Sequence, residues 1–399
     1  MVKFNLIREI RELKNQLSYS KKYGFFFGAG TSCALGVPNI QTLTTGVENA
    51  LHDDHLVNFK KIKNDLASTY PKKLINIEDI LNHVRKIRSI TGERNDKSYL
   101  DINGKLATDL DNLVCKKIYE IISKSEESVD LSNTKKFFAW LNMQNREFSK
   151  EIFTSNYDLI IEKSLEAIRT PYFDGFVGSY EPFFWPESID KFVEKSDLTQ
   201  NWIRLWKIHG SLSWFWKKNS DSNSQNIVRI GKISDIENLD NELVIYPSKE
   251  KYDSSKKQPF VAYFDRFKNV LLGGERLFIF IGYSFSDQHI NEIAFNSLRQ
   301  NNRLFILVFF YQDSEVEELY KVSSPFLNMT VFGPKKAIIN GTLGEWEYKE
   351  DDLNQNEKSE SYWNKTNNCL KLGDYNHFIN FLITNSGKKE NIEVIASGQ

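Results

Sequence analysis

Hydrophobic positions along the chain predict short buried strands separated by amphipathic helices. Apolar residues recur at helical spacing over residues 5–18, which predicts a helix before the first strand. The run Phe25-Phe26-Phe27 then predicts a buried strand that ends at Gly28. Further strands are predicted at 152–154, 205–208, 243–246, 276–281 and 304–310. Continuous apolar runs are typical of parallel strands covered on both faces, so the sequence predicts an α/β fold with a Rossmann-like, doubly wound, mostly parallel sheet.

The order of these elements predicts one large domain that carries an insertion. Residues 41–150 have apolar positions at helical spacing, which indicates a large helical insertion between the first two strands of the sheet. Past residue 312 the sheet pattern fades. We therefore expect a domain over residues 1–312 and a small C-terminal extension over residues 313–399 that serves assembly or partner contact.

Composition and charge exclude several classes of function. The chain has 52 Lys and Arg against 53 Asp and Glu, and its formal net charge of -1 gives no overall field toward nucleic acid or an anionic membrane. No apolar run approaches the roughly 20 residues that span a bilayer, and the first residues lack a secretory signal pattern. We expect a cytoplasmic protein without direct nucleic-acid or membrane binding. The cysteines at 33, 115 and 369 lie too far apart in sequence to predict a disulfide framework or a zinc site.

A glycine-rich turn follows the first predicted strand. In an open α/β sheet, ligands bind beyond the carboxyl ends of the strands, and the turn Gly28-Ala29-Gly30-Thr31-Ser32 lies at such an end. Glycines let a backbone approach a pyrophosphate closely, so the turn is a candidate phosphate cradle. It does not match the dehydrogenase fingerprint, because Cys33 and Ala34 stand where the third glycine would fall. A tight strand-to-helix turn without ligand is the alternative.

Three later strand ends carry polar side chains. Thr154-Ser155-Asn156-Tyr157-Asp158 places an amide and a carboxylate two residues apart, His209-Gly210 places an imidazole beside a glycine, and Gly282-Tyr283-Ser284-Phe285-Ser286-Asp287 offers hydroxyls and a carboxylate for a ribose or a second phosphate. Each has a structural alternative. Asn and Asp are common helix N-caps, a single histidine is often a structural hydrogen-bonding group, and Ser286 or Asp287 could cap a helix.

Taken together and in this order, the four junctions resemble the sirtuin (silent information regulator) family over roughly residues 20–310. The family's Gly-Ala-Gly-x-Ser and Gly-Ile-Pro elements are matched by Gly28 to Ser32 and by Gly36-Val37-Pro38. Its Thr-Gln-Asn-Ile-Asp is matched by Thr154 to Asp158, its His-Gly by His209-Gly210, and its Gly-Thr-Ser by Gly282-Tyr283-Ser284. The spellings Asn-Tyr-Asp and Gly-Tyr-Ser-Phe-Ser-Asp look more like the bacterial sirtuin-like branch of anti-phage defence systems than like the deacylases.

Two departures separate the chain from the sirtuin deacylases. Those enzymes usually hold zinc through paired Cys-x-x-Cys motifs between the His-Gly and Gly-Thr-Ser elements, whereas no cysteine lies between His209 and Gly282. The deacylase turn also continues from proline into an aromatic residue and an arginine, whereas Pro38 is followed by Asn39-Ile40-Gln41. Without these elements, a reaction on acyl-lysine peptides is less expected. The resemblance still implies an NAD pocket, with no metal.

The resemblance implies an NAD+ hydrolase that gives ADP-ribose and nicotinamide and acts in anti-phage defence by NAD+ depletion, or abortive infection. It implies that Asn156 and His209 are catalytic, with Asn156 orienting the ribose and water, His209 accepting a proton, and Asp158 bonding the nicotinamide carboxamide. The implied NAD-binding residues are Gly28, Ala29, Gly30, Thr31, Ser32, Gly36, Pro38, Thr154, Tyr157, Asp158, Gly282, Tyr283, Ser284 and Asp287.

Two other functions remain open at this point. The chain could bind NAD or ADP-ribose as a sensor or scaffold that regulates a partner without hydrolysis, or it could be a zinc-free NAD-dependent protein deacylase. Because unregulated NAD cleavage would kill the host, a hydrolase also needs a gate. In the defence branch, such regulation commonly resembles assembly into a homo-oligomer or binding of a HerA-type ATPase partner. We expect both for this chain.

Overall fold

Long helices alternate with short strands through most of the chain, as the hydrophobic pattern predicts. The computed structural model describes residues 2–19, 22–92, 94–144, 148–189, 202–218, 225–231, 242–245, 258–354 and 357–398. The α-helices in these ranges are α1 Leu6–Tyr19, α2 Ala29–Cys33, α3 Ile40–Ala50, α4 Asp53–Thr69, α5 Ile77–Thr91, α6 Gly104–Glu126, α7 Ser132–Asn142, α8 Ile160–Ala167, α9 Phe260–Leu272, α10 Gln288–Gln300, α11 Asp313–Ser323, α12 Tyr375–Asn385 and α13 Lys389–Ala396.

The strands form one large sheet, one smaller sheet and two short ribbons. They are β1 Val2–Asn5, β2 Tyr23–Phe27, β3 Ser98–Tyr99, β4 Ile102–Asn103, β5 Lys150–Thr154, β6 Tyr172–Phe173, β7 Phe176–Val177, β8 Phe183–Phe184, β9 Ile203–Lys207, β10 Gly210–Lys218, β11 Gln225–Arg229, β12 Glu242–Ile245, β13 Arg276–Ile281, β14 Leu304–Phe309, β15 Met329–Phe332, β16 Lys336–Ile339, β17 Thr342–Glu347, β18 Trp363–Asn364 and β19 Cys369–Leu370.

The large sheet has ten strands in the order β1-β17-β16-β15-β14-β13-β2-β5-β9-β6. Every pairing from β15 through to β6 is parallel. Chain order runs outward from β2 in both directions, with β5 and β9 on one side and β13 and β14 on the other. This arrangement confirms the predicted mixed α/β fold with a doubly wound, mostly parallel sheet.

Alternate residues of the central strands enter two different cores. Phe25 and Phe27 of β2 pack in the core that also holds α1, α7, α12 and α13, whereas Phe26 packs in the core of α9, α10 and α11. Because successive strand side chains point to opposite faces, the run of three phenylalanines fills both cores. This double coverage explains why the strand reads as a continuous apolar run in the sequence.

The helical insertion has a core of its own. Helices α3 to α6 bury a third cluster of aliphatic side chains, among them Val47, Ile80 and Ile118. Helix α7 instead packs on the large sheet through Phe137 and Phe138. The insertion also contains the short antiparallel ribbon β3-β4, which the sequence pattern does not predict.

The large sheet continues past residue 312, so the expectation that it fades there is wrong. Strand β15 joins β14 in parallel, β16 and β17 follow antiparallel, and β1 pairs with β17. Strand β17 is weak in sequence because it alternates half-buried and buried residues after its exposed first residue. Strands β15 and β16 are largely buried, but each has only four residues, and one of the four is a Thr or a Lys. The domain boundary at 312 stays a prediction.

A five-stranded sheet, in the order β12-β10-β11-β8-β7, stands beside the large one. Strand β10 begins at Gly210, and β9 of the large sheet ends at Lys207. Ile208 and His209 are therefore the whole connection between these two strands. No helix in the described ranges is both long enough and apolar enough to cross a membrane.

Candidate active site

The four predicted junctions lie at one edge of the large sheet. They follow β13, β2, β5 and β9, which are four neighbouring parallel strands, and carboxyl ends of parallel strands share an edge. Backbone hydrogen bonds join each junction to the next. The N–H of Gly28 donates to Ile281 O at 3.0 Å, that of Ser155 to Phe27 O at 3.3 Å, and that of Ile208 to Thr154 O at 2.9 Å.

Glycines 28, 30 and 282 let two of these turns touch through their backbones. A Cβ at Gly28 would lie 2.3 Å from Gly282 O, and a Cβ at Gly30 would lie 2.8 Å from Gly282 Cα. Gly282 has a φ of +65°, and a Cβ there would lie 2.5 Å from Thr31 N. Glycine is thus required at all three positions for the turns to meet.

Several amides of the first turn are already bonded within the protein. The N–H of Gly30 donates to Gly282 O at 2.8 Å, and the N–H of Thr31 donates to Gly28 O at 3.0 Å. The Gly28 and Gly30 amides hold the turn against the end of β13, whereas the Thr31 amide closes the turn itself, so none of the three points at an open anion site. The role of this turn as a phosphate cradle stays a prediction, while its role in packing is observed.

Asn156 is buried and turned toward the glycine turn. Its Nδ2 donates to Gly28 O at 3.1 Å, to Thr31 Oγ1 at 3.1 Å and to Ser32 Oγ at 2.8 Å. A carbonyl oxygen such as Gly28 O can only accept, so the NH2 group must face the turn and Oδ1 must face away from it. Thr154 prepares this geometry, because its Oγ1 accepts from Asn156 N and donates to Phe27 O.

Asp158 lies beside the same turn, and a buried lysine donates a hydrogen bond to its backbone carbonyl. Its Oδ2 accepts from Ser32 Oγ at 2.6 Å. Lys207, at the end of β9, is 2% exposed and donates through Nζ to Asp158 O and to Glu162 Oε1, the latter at 2.8 Å. Burial raises the pKa of Glu162 despite the lysine. Lys207 therefore ties the strand end, the loop at 154–158 and α8 together.

His209 is bonded to Asp287, which begins α10. The imidazole Nε2 lies 3.2 Å from Asp287 Oδ2, and Asp287 Oδ1 accepts from the N–H groups of His289 and Ile290. Burial opposes charge on both side chains, but the mutual hydrogen bond, the partner's charge and the other contacts of each group together outweigh it. The pKa of His209 is raised from its ordinary 6.5, also by the charge of Glu78, and the pKa of Asp287 is lowered to about 2.

The remaining predicted residues are distributed around these two clusters. Tyr283 is buried and donates to Asn291 Oδ1 at 3.0 Å, whereas Ser284 is exposed and donates to Ser286 Oγ at 3.1 Å. Tyr157 packs against the core of the helical insertion, and its carbonyl accepts from Leu212 N at 2.9 Å. The other positions lie between β2 and α3: Ala29 begins α2, Gly36 after α2 is exposed with a φ of +97°, and Pro38 is half-buried before α3.

Three residues that contact or influence this site carry no role in the sequence prediction: Lys207, Glu162 and Glu78. Lys207 had a signal, because it is the one charged residue in the predicted strand at 205–208, and a buried lysine needs a partner. Glu162, its partner, lies on α8 four residues past Asp158 and had no distinguishing pattern. Glu78 comes from the N-terminal turn of α5 in the insertion, more than a hundred residues from His209 in sequence. Across the described ranges, no group of three or more His, Cys, Asp and Glu side chains could hold a metal ion.

Residues 150–324 match the family model of the SIR2-like domain. This span contains Asn156, Asp158, His209 and the junction at 282–287. The match confirms the sirtuin-like family inferred from the four junctions. The glycine turn at 28–38 lies outside the matched span, and the anti-phage branch stays a prediction. Among curated proteins, none matches the chain.

Solved structures of Sir2 proteins are similar to the chain at low identity. A Sir2 homologue in complex with NAD has 12% identity and a TM-score of 0.37, over 83% of this chain and 90% of that one. A Sir2 homologue mutant in complex with ADP-ribose has 13% identity and a TM-score of 0.34, over 75% and 83%. Sir2Tm bound to a propionylated peptide has 12% identity and a TM-score of 0.33, over 75% and 86%.

Because the two turns touch through their backbones, a methyl group added at Gly28 or Gly30 should destabilise the protein. We expect Gly28→Ala and Gly30→Ala each to lower the free energy of unfolding by about 1–3 kcal/mol, because the new Cβ meets backbone that must shift. Urea unfolding measures this cost. Gly231→Ala is the control, since its Cβ would meet nothing within 4 Å. Equal stability of the Gly28 and Gly231 variants would contradict the close approach.

The buried lysine predicts a second stability effect. Lys207→Met leaves the Glu162 carboxylate buried without its cation, and we expect the free energy of unfolding to fall by about 3 kcal/mol or more. Lys207→Met combined with Glu162→Gln should recover part of that loss. The control Lys117→Met removes a solvent-accessible pair with Glu120 and should cost less than about 1 kcal/mol. A double variant no more stable than Lys207→Met alone would refute the coupling.

Proposed function

We propose that the chain is an NAD+ hydrolase that cleaves the bond between nicotinamide and ribose and releases ADP-ribose and nicotinamide. One observation carries the proposal: Asn156 and His209 follow neighbouring parallel strands at the carboxyl edge of a sheet, inside the span that matches the SIR2-like domain. In open α/β sheets this edge is where ligands bind.

The side chains present suit the chemistry of this cleavage. Loss of nicotinamide leaves oxocarbenium character on the ribose, so a nearby nucleophile is needed, and water is the simplest one. Asn156 holds its NH2 group on the glycine turn, which leaves Oδ1 to accept from a ribose hydroxyl or from water. His209 accepts a proton from a ribose hydroxyl or the attacking water, which an imidazole can do near neutral pH.

In this proposal, side chains around Asn156 and His209 bind the dinucleotide. Asp158 is the proposed partner of the nicotinamide carboxamide, and Ser32 fixes its orientation through Oδ2. Ser284 and Ser286 are exposed after β13; Ser284 donates to Ser286 Oγ, which leaves the Ser286 hydroxyl to donate to a ribose or phosphate. NAD+ is the substrate in this proposal, and no metal is required by it.

Removal of either catalytic side chain tests the proposal directly. We expect His209→Ala and Asn156→Ala each to reduce NAD+ cleavage by at least about 10²–10⁴-fold, because a positioned base or orienting amide is lost from the reaction. The measurement is the amount of nicotinamide that purified protein releases from NAD+, quantified by chromatography. Circular dichroism verifies that each variant is folded.

An exposed histidine supplies the control for this experiment. His52 is the N-cap residue before α4 and makes no side-chain capping hydrogen bond, so His52→Ala should cleave NAD+ at the parent rate. Wild-type cleavage by a folded His209→Ala variant would end the assignment of that residue. NAD+ binding without nicotinamide release would instead favour a sensor or scaffold, and an O-acyl ribose product formed from acyl-lysine peptide would favour a deacylase.

We extend the proposal to biological role and regulation. An unregulated NAD+ hydrolase would kill its host, so the activity is proposed to serve anti-phage defence by NAD+ depletion, within a homo-oligomer and with a HerA-type ATPase partner. Residues 313–399 are the proposed assembly or partner segment. Light scattering during size exclusion should detect an oligomer, and cellular NAD+ should fall during phage infection only when His209 is intact. A monomer under all conditions, or an unchanged NAD+ level, would contradict this extension.

A further inference from the structure

We propose that Asp287 is a positioning residue for His209: its carboxylate holds the imidazole by Nε2, so that Nδ1 is the nitrogen presented to the reacting groups. This inference rests on the proposed NAD+ cleavage for its catalytic consequence. The sequence pattern instead suggested Asp287 as a ligand of ribose or phosphate, or as a simple helix cap.

The carboxylate of Asp287 is fixed on both sides. One oxygen, Oδ1, accepts from His289 N at 2.9 Å and Ile290 N at 3.2 Å, which anchors it to the first turn of the 13-residue helix α10. The other oxygen, Oδ2, lies 3.2 Å from His209 Nε2. An acceptor tied to a helix terminus has little freedom, so it restricts the orientation of the imidazole ring that it binds.

The protonation state of the pair selects one tautomer of the ring. The pKa of Asp287 is lowered to about 2: burial would raise it, but the hydrogen bond with His209, the charge of that imidazole and the bonds from two backbone amides together outweigh burial. At neutral pH the side chain is therefore an ionised carboxylate, which can accept a hydrogen bond and cannot donate one. Nε2 must then carry the proton, and in the neutral ring Nδ1 is the nitrogen that can take another.

Charged groups from two elements determine when the ring becomes neutral. Asp287 lies at the start of α10, and Glu78 lies in the first turn of α5. Burial alone would lower the pKa of His209, but the bond to Asp287 and the two negative charges raise it above 6.5. Because the proton acceptor is the neutral ring, the acid limb of the rate profile should lie above that value, and activity should rise as pH passes through it.

Three variants separate positioning from helix capping. Asp287→Asn keeps a good N-cap but removes the charge, whereas Asp287→Ala removes both. Asp374→Ala is the matched control, because Asp374 caps α12 through a bond from His377 N at 2.9 Å and belongs to another helix. The first readout is the tautomer and titration of His209 in nitrogen–proton correlation spectra of isotope-labelled full-length protein, assigned by comparison with His209→Ala.

The expected results are specific to Asp287. Wild type should show the Nε2–H tautomer, Asp287→Asn should titrate at lower pH, and Asp287→Ala should lose the tautomer preference, while Asp374→Ala should match wild type. These spectra need no substrate, so they test the contact even if the protein does not cleave NAD+. An Nδ1–H tautomer in wild type, or an unchanged titration in Asp287→Asn, overturns the proposal.

The second readout measures the catalytic consequence. The acid limb of kcat/KM for NAD+ cleavage should move to lower pH in Asp287→Asn, and kcat at the optimum should fall by about 10²-fold in Asp287→Ala with little change in KM. A change in KM alone would assign Asp287 to substrate binding and refute positioning. Absence of NAD+ cleavage by wild type, with the expected spectra, would refute the proposed function and leave the contact intact.

Discussion

The contact between the turns after β2 and β13 is the constraint on which the candidate site depends. Main-chain atoms of Gly28 and Gly30 pack on those of Gly282 without any intervening side chain. This contact fixes Gly28 O, to which Asn156 donates, and it fixes the loop that leads to Asp287. Backbone packing at the switch point of the sheet thereby sets the places of both proposed catalytic side chains, even though neither is part of the contact.

Two hydrogen-bonded clusters share the edge of the sheet. Asn156 and Asp158 are bonded to the glycine turn, and Lys207 donates to the backbone carbonyl of Asp158. His209 is bonded to Asp287, the N-cap of α10. The strands beneath them are adjacent and parallel, which keeps the clusters side by side. Polar groups buried this way are costly unless they are satisfied, so the networks restrict the loops to one arrangement.

The fold was largely predictable because its central strands are covered on both faces. Phe25 to Phe27 and the run at 276–281 are unmistakable in sequence for that reason, and the strand ends then indicate which polar residues meet. The strands after residue 312 were missed because β17 alternates buried and half-buried positions, and because β15 and β16 have only four residues each. The pairing of Asp287 with His209 was also missed. The local sequence identifies Asp287 as an N-cap. Only the tertiary fold determines that His209 is the side chain bonded to the second carboxylate oxygen of Asp287.

The short link between the two sheets has a mechanical consequence. Only Ile208 and His209 join β9 to β10, and Ile208 is buried, while the following Gly210 has a φ of +91°. A linker of this length has no slack to absorb motion. Any rotation of the five-stranded sheet relative to the ten-stranded one would therefore change the backbone conformation at His209. It would thereby reorient the imidazole that is proposed to accept the proton.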